Sequence, residues 1–594
     1  MRTLKFLLIW GGWAFVAVTA VAQEDSIDQE ETINQDVRVV REYNPTVSDA
    51  FKINEMPEQS DADVPAPDFS YELSGKAMVG TPEVVPLIPA KMAKEPREEL
   101  YPSYLQGYVG NYNMLGGALR YNLVHNEKFA LALKAGHESS MGDIEVMGTE
   151  ADADYHETLG GLYMRHFFKR KTLSIDMDFS NLAYRYYGFH TMDATRPYLA
   201  PYPSLEMSSI PPQTQGSNLM HDDQQHQTAF DVTMGLKNQV TGHMETRYDL
   251  KMGYSTFGNG TGVKENQFRY TGDFDFSLGE LGLRLGTAMD HASTNVPVDE
   301  MPWLYQFENR QQTLVQMNPA LVKTNKNLDL HMGLRFAAEF DDLEDNLYIS
   351  PDVRANLTVA EGFVAIEGGI TGEIKPSTYR SIMEENLYVS PDLNVKTAFH
   401  GVRFFLGAKG NFTRSTSFAA RMDYNVFHNE HFFVNRQFVP YGGMSGEPND
   451  FSNQFGVDYD DGRMLSVSGE FKMGFSPQLD VLLRGAYYGW DTDSLEHAWH
   501  KPKSEVGARM TYKYNESLTL YVSGNMMGPR YASLPEGIEK LDPVYDFNIG
   551  ANYNHNKRWH FFGEVRNLAA SKYYRWYGYP MQGINGRVGL GYSF

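Results

Sequence analysis

Histidines, carboxylates and clustered aromatics are the side chains here with the reach to do chemistry, and their spacing decides which chemistry. The 17 histidines are scattered. They gather locally only in His221-Asp222-Asp223-Gln224-Gln225-His226 and His428-Asn429-Glu430-His431. A zinc site of that kind needs its ligands on one helical face, and neither run has a helical pattern. They read as a solvated loop and a strand turn. Asp341-Asp342-Leu343-Glu344-Asp345 and Asp458-Tyr459-Asp460-Asp461-Gly462 offer hard oxygens for calcium, but lack the full loop pattern and sit where hairpin turns belong. Serine, histidine and aspartate abound without a spacing that singles out a triad, and chain order alone cannot identify one. No catalytic residue, metal or cofactor is expected. The run Tyr573-Tyr574-Arg575-Trp576-Tyr577-Gly578-Tyr579 is the densest aromatic group. Tyr573, Tyr574, Trp576, Tyr577 and Tyr579 are candidate ligand or interface aromatics, with an interfacial girdle or packed loop as the bland alternative.

The elements that carry these residues alternate with period two. In Phe230-Asp231-Val232-Thr233-Met234-Gly235-Leu236-Lys237 and Leu465-Ser466-Val467-Ser468-Gly469-Glu470-Phe471 each segment has one apolar and one hydrophilic face. Val402-Arg403-Phe404-Phe405-Leu406-Gly407-Ala408-Lys409 does the same, with Phe405 out of step. Such runs reach 9–13 residues, the length a tilted strand needs to cross a bilayer. On that pattern Arg403, Lys409 and Arg484 face a lumen.

Composition agrees. The chain has 594 residues, 53 Gly, 37 Tyr, 35 Phe, no Cys and a net charge of −23. Zero cysteine excludes disulfide frameworks and thiolate metal sites. The acidic balance disfavours nucleic acid, which is bound through Lys and Arg. A mean hydropathy of −0.44 is too polar for a helical membrane protein.

Residues 1–22 have the layout of a secretory signal: basic Arg2 and Lys5, an apolar run, then Ala20-Val21-Ala22. Residues 23–100 hold eight prolines and a net charge of −11, and read as an irregular periplasmic or luminal segment. Residues 101–594 carry the strands.

Short turn signals fall near His125-Asn126-Glu127, Leu278-Gly279-Glu280, Thr324-Asn325-Lys326, Ala360-Glu361-Gly362, Ser476-Pro477-Gln478, Asn515-Glu516-Ser517 and Asn556-Lys557. Longer loops are expected at 190–224, 293–308, 441–462 and 528–542. Two strands between consecutive short turns predict an all-β, transmembrane antiparallel β-barrel of about 22 strands (range 20–24). Asn346-Leu347-Tyr348-Ile349-Ser350-Pro351-Asp352-Val353 recurs as Asn386-Leu387-Tyr388-Val389-Ser390-Pro391-Asp392-Leu393. An offset of 40 residues predicts two parallel copies of one strand in a duplicated hairpin. The closing Arg587-Val588-Gly589-Leu590-Gly591-Tyr592-Ser593-Phe594 alternates and ends on an aromatic. Tyr592 and Phe594 resemble the signal read by the outer-membrane insertion machinery.

The last residues resemble the C-terminal strands of TonB-dependent receptors: Val565-Arg566-Asn567-Leu568, Lys572-Tyr573-Tyr574, Tyr577-Gly578-Tyr579-Pro580, Gly583 and Gly589–Phe594. Arg41-Glu42-Tyr43-Asn44-Pro45-Thr46-Val47-Ser48-Asp49-Ala50-Phe51-Lys52 is similar to the start of plugless barrels of that type. The resemblance implies the outer membrane of a Gram-negative bacterium, with contacts to lipid, lipopolysaccharide and the insertion machinery. It also implies a folded N-terminal plug, for which 23–100 is too short and too rich in proline. No full TonB-contacting box is visible; Val37–Tyr43 is a partial candidate.

An unfilled barrel of this width would be a large pore. The lumen is therefore expected to hold residues 23–100, an inward-folded loop such as 190–224, or a partner. Function is expected to be passage or binding of a substrate at the outer membrane. The alternative is a structural barrel that scaffolds surface or periplasmic partner proteins.

Overall fold

The computed structural model describes residues 103–188, 224–238, 246–296, 309–437 and 451–594, apart from positions 147, 280, 343, 361–362 and 535–536. The signal segment, the leader and the loop 190–223 lie outside the described residues. Of two compact units, Met1–Glu95 and Pro96–Phe594, the second carries everything below.

Twenty-two strands form one sheet that closes on itself, antiparallel throughout. The first strand, Ser103–Gly110, pairs with Met114–His125 on one side and with the last strand, Asn585–Ser593, on the other. Closure satisfies every strand edge internally, the condition for crossing hydrocarbon. The expected barrel and strand number are both found.

Alternation explains each wall residue. Val588 and Leu590 are 62% and 46% exposed and point outward, whereas Arg587 between its neighbours points in and pairs with Glu564 at 2.8 Å. Arg403 faces Glu373 at 3.6 Å, and Arg484 pairs with Glu470 at 2.9 Å, on the inner face as expected. Phe405, the residue out of step, also turns inward, where the Arg421 guanidinium covers its ring at 4.3 Å. A misplaced apolar residue is thus capped by a cation. Inward aromatics lie flat over glycines of the next strand. A Cβ on Gly589 would stand 2.5 Å from the Phe562 ring, and one on Gly116 would stand 2.1 Å from that of Tyr108.

Each short turn named from sequence joins two barrel strands. Phe363, Phe475 and Tyr514 sit exposed at these turns, Phe168 and Phe412 at two further short turns, and together they form an aromatic girdle along that rim. Phe594 ends at the same rim, 40% exposed, its ring stacked with that of Tyr592 at 5.9 Å. Tyr592 in turn packs against Trp559 at 4.6 Å. The long-loop rim is built differently, and here three expectations are corrected.

The stretch 441–462 is not a loop throughout. Thr416–Gln437 and Phe451–Ser476 are the two longest strands, 22 and 26 residues, and they pair well beyond the ordinary wall height. Asp458–Gly462 therefore lies inside a strand. Asp460 is buried and accepts the amides of Ser494 and Leu495 at 2.9 and 2.8 Å. His428–His431 is likewise a β-bulge within a strand, with Asn429 at φ 54°. Glu430 is buried against His400 at 2.9 Å.

The sequence echo does not make two strands. Asn346–Ala360 is a barrel strand, but the second copy follows a short helix, Tyr379–Glu385, and leaves the wall altogether. Leu347 and Ile349 are 74% and 57% exposed on the outer face of the wall, whereas Val389 is fully buried. The same residue pattern met a different set of neighbours.

Candidate functional site: a loop folded across the lumen

The wall strands Val364–Lys375 and Ala398–Asn411 are direct neighbours, with Lys375 opposite Ala398. Residues 376–397 between them do not turn straight back. They cross the barrel interior and touch strands many positions away around the wall. Residues 376–397 are thus an inward-folded loop, while 190–223, the loop named for that role from sequence, lies outside the described residues.

Its helix begins on a capping box. Thr378 Oγ1 accepts the Ser381 amide at 3.2 Å, and Ser381 Oγ accepts the Thr378 amide at 2.8 Å. The next free amide, Tyr379 N, donates at 2.9 Å to Glu265, a carboxylate only 2% exposed on a wall strand. A helix this short is marginal alone, so its exposed amides are satisfied by the wall. The helix surface then follows the lumen chemistry. Tyr379, Ile382 and Met383 are buried, and Arg380 points down the lumen. Arg380 grips Asp231 with two hydrogen bonds, 2.8 and 3.0 Å. Asp231 is the middle residue of the strand Gln224–Asn238, so the Arg380 guanidinium reaches half the depth of that strand.

The far end is tied equally firmly. Glu385 accepts from His431 at 2.7 Å and Lys501 at 2.9 Å. Burial raises its pKa, but these two partners outweigh it and draw the carboxyl down to about 2. Tyr184 donates to the Leu387 carbonyl at 3.0 Å, and Tyr186 to that of Val389 at 3.3 Å. Ser390 N and Phe455 N exchange backbone bonds with Phe455 and Tyr388 carbonyls at 2.9 Å. Arg436 holds Ser390 Oγ and Asp392. Thr397 closes the loop on buried Glu339.

The loop is part of a continuous tyrosine-rich core, the cap of the barrel. Tyr184, Tyr186, Tyr187, Tyr379, Val389, Phe433, Phe455, Trp576 and Tyr579 are all buried in it. The hairpin Asp143–Val146 with Thr149–Asp152 adds Ile144, Val146 and Ala151. Tyr187 donates to the Pro580 carbonyl at 3.0 Å and Tyr579 to that of Asn453 at 2.7 Å. Burial pushes the Tyr187 phenol up to about 12, so it remains a donor. Arg530, 2% exposed, donates to the carbonyls of Tyr574 and Arg575 and pins the hairpin that carries them. Burial first, and then the nearby Arg575 charge, lowers its pKa to about 10. It stays a cation at neutral pH.

His500 sits within this core, wholly enclosed by Phe455 and Trp576 at ring distances of 5.4 Å each. Its Nδ1 donates to the Phe433 carbonyl at 2.9 Å, and its Nε2 accepts the Tyr577 amide at 3.4 Å. That pattern fixes a neutral ring. Burial, with Arg530 and Lys501 nearby, draws its pKa down to about 3.

The candidate aromatics are therefore placed as follows. Trp576 and Tyr579 are buried in the cap, while Tyr573, Tyr574 and Tyr577 are half-buried along it. The two histidine runs do not meet: His226 and His431 lie on separate wall strands, and His221 lies outside the described residues. Sequence reading missed Glu265, Arg380, Tyr184 and Tyr186. One signal was available, since Pro376-Ser377-Thr378 followed by Ser381 is a helix start where a strand pair should have turned.

No protein-family profile and no curated protein sequence matches the chain. Solved structures do. The siderophore receptor PirA of Acinetobacter baumannii superposes with a TM-score of 0.60 at 11% identity, over 83% of this chain and 80% of its own. The FrpB iron transporter of Neisseria meningitidis gives 0.62 at 10% identity, over 83% and 81%. The copper transporter OprC gives 0.60 at 12% identity, over 83% and 80%. At such identities the likeness is one of fold alone, the closed β-barrel.

Proposed function

We propose that the protein is a gated outer-membrane barrel that binds a substrate and passes it through its lumen. The observation that carries this reading is the loop 376–397, which crosses a charged lumen as part of a packed cap. A wide polar wall is suited to hydrated solutes, and a loop whose two ends join adjacent wall strands can be released without parting the sheet. In this reading residues 1–22 direct export, the long-loop rim faces outward, and residues 23–100 are a periplasmic or luminal segment. Lipid and lipopolysaccharide cover the apolar belt. The insertion machinery reads Tyr592 and Phe594. Half-buried Tyr573, Tyr574 and Tyr577 meet a ligand at the outer surface, and any TonB contact runs through Val37–Tyr43.

Planar-bilayer conductance tests the gate. Lys375 and Ala398 are adjacent, so a short Gly-Ser turn can replace residues 377–396 without parting the wall. The intact protein is expected to conduct weakly and the replaced one strongly. Equal conductance removes the loop as the gate.

A second reading is favoured by the cap. Its buried core makes a firm outward platform, which suits a barrel that scaffolds surface partners rather than transporting. Pull-down in mild detergent with and without the 574–580 hairpin separates the two, because only a scaffold loses a constant partner while conductance stays unchanged.

A further inference from the structure

Asp178 and Asp231 occupy the middle of neighbouring strands, Lys171–Arg185 and Gln224–Asn238, and are direct cross-strand partners. Both face the lumen, since Met177, Phe179 and Phe230 beside them are exposed outward. Like charges placed directly opposite each other destabilise a sheet unless a cation joins them. Lys134 takes Asp178 at 2.9 Å from within the wall. Asp231 is met instead by Arg380, which arrives from the crossing loop and also binds Glu384 at 2.8 Å. Beside this contact a polar cavity of about 410 Å³ is bounded by Asp178, Asp231, Glu384, Arg380, Arg269 and hydroxyl groups, without an apolar side chain. Arg269 on its rim leans toward Asp290 at 3.6 Å. Asp231 and Glu384 remain 33% and 57% exposed, although Arg380 spans them.

We infer that this cavity is a binding site for guanidinium-bearing solutes, and that Arg380 is its tethered occupant. The wall supplies an acidic site at mid-depth, and the loop fills it with its own guanidinium. A free organic cation that enters the cavity competes for the same carboxylates. Displacing Arg380 removes one of the bonds that hold the helix down, so ligand binding is coupled to loop release. Planar bidentate pairing makes a guanidinium the strongest competitor. The inference deepens the transport reading by naming a substrate class, and rests on it.

The test is calorimetric titration of the purified full-length protein with arginine amide and with citrulline amide, which has nearly the same shape without the guanidinium charge. Arginine amide is expected to bind and citrulline amide not. Arg380→Gln removes the tethered competitor and should tighten arginine amide binding by about tenfold or more. Asp231→Asn and, separately, Glu384→Gln should weaken it by a similar factor. Heat-modifiable gel mobility confirms that each variant is a folded barrel. Should Asp231→Asn fail to fold, Glu384→Gln and Arg380→Gln decide the matter. Equal affinity for the two amides, or affinity unchanged in the folded variants, overturns the site. A barrel that conducts after loop replacement yet does not discriminate the amides keeps the transport reading and loses only the cation site.

Discussion

Tyr388 and Tyr579 lie face to face, ring centroids 3.5 Å apart and planes 15° from parallel. One belongs to the crossing loop and the other to the C-terminal hairpin, so this stack fastens the loop to the cap. Around it Tyr187 approaches Tyr579 at 5.1 Å and Tyr388 at 6.1 Å, both edge-on. Removing either stacked ring leaves a void that neighbours tied by backbone hydrogen bonds cannot close. Tyr579→Ala is expected to destabilise the cap by about 3–5 kcal/mol, the usual cost of deleting a buried large aromatic. Amide hydrogen exchange checks this: residues 386–396 should exchange faster while the wall strands stay protected. Unchanged exchange in that segment rejects the stack as its fastening.

The cap should also loosen in acid, in two stages. His500 is neutral in the folded protein, with its pKa drawn from about 6.5 when unfolded to about 3. Between those values the unfolded chain binds the extra proton, so stability falls as pH drops, by at most about 1.4 kcal/mol per pH unit. Glu385 has a lowered pKa of about 2, and its contribution, present above the ordinary carboxylate range, is lost as pH falls toward that value. Following cap unfolding by Trp576 fluorescence from pH 8 to 3 should show loss beginning near the unfolded histidine value. His500→Gln should remove the first stage and keep the second.

Barrel closure depends on a glycine at the seam. Gly589 faces inward beneath the Phe562 ring, and a Cβ there would also stand 2.6 Å from the Gly107 carbonyl oxygen of the first strand. The ring can rotate away, but the backbone oxygen cannot. Gly589→Val is expected to cost about 1–3 kcal/mol or to prevent closure. Loss of heat-modifiable mobility on a gel is the readout, and normal mobility at elevated temperature contradicts it.

At the other end of the same strand, Phe594 and Ser103 exchange backbone hydrogen bonds at 3.0 and 3.1 Å. Phe594→Ala keeps that pairing and removes only the exposed ring. Assembly in cells should therefore fall several-fold while the thermal stability of the assembled barrel stays nearly the same. A parallel fall in both would make Phe594 a packing residue rather than an assembly signal.

How much of this was legible in the sequence differs sharply between wall and lumen. Strand alternation, turn positions, the inward Arg403 and Arg484 and the count of about 22 could be read because the face of each wall residue follows locally from its place in an alternating strand. The cap could not be read that way. Asp458–Gly462 looks like a turn, yet Asp460 is held inside a strand by the Ser494 and Leu495 amides, partners more than thirty residues away.

The two copies of one octapeptide mark the division most clearly. By itself the sequence determined that the chain makes a closed barrel, because period-two alternation repeats strand after strand and needs no distant information. It could not decide that Asn346–Val353 would lie in a wall strand while Asn386–Leu393 would cross the lumen. Asp352 meets His331 and Arg354 in the wall, while Asp392 meets Arg436 in the cap. Only the tertiary structure supplies those partners, since a short segment takes the conformation whose neighbours satisfy its backbone and bury its side chains.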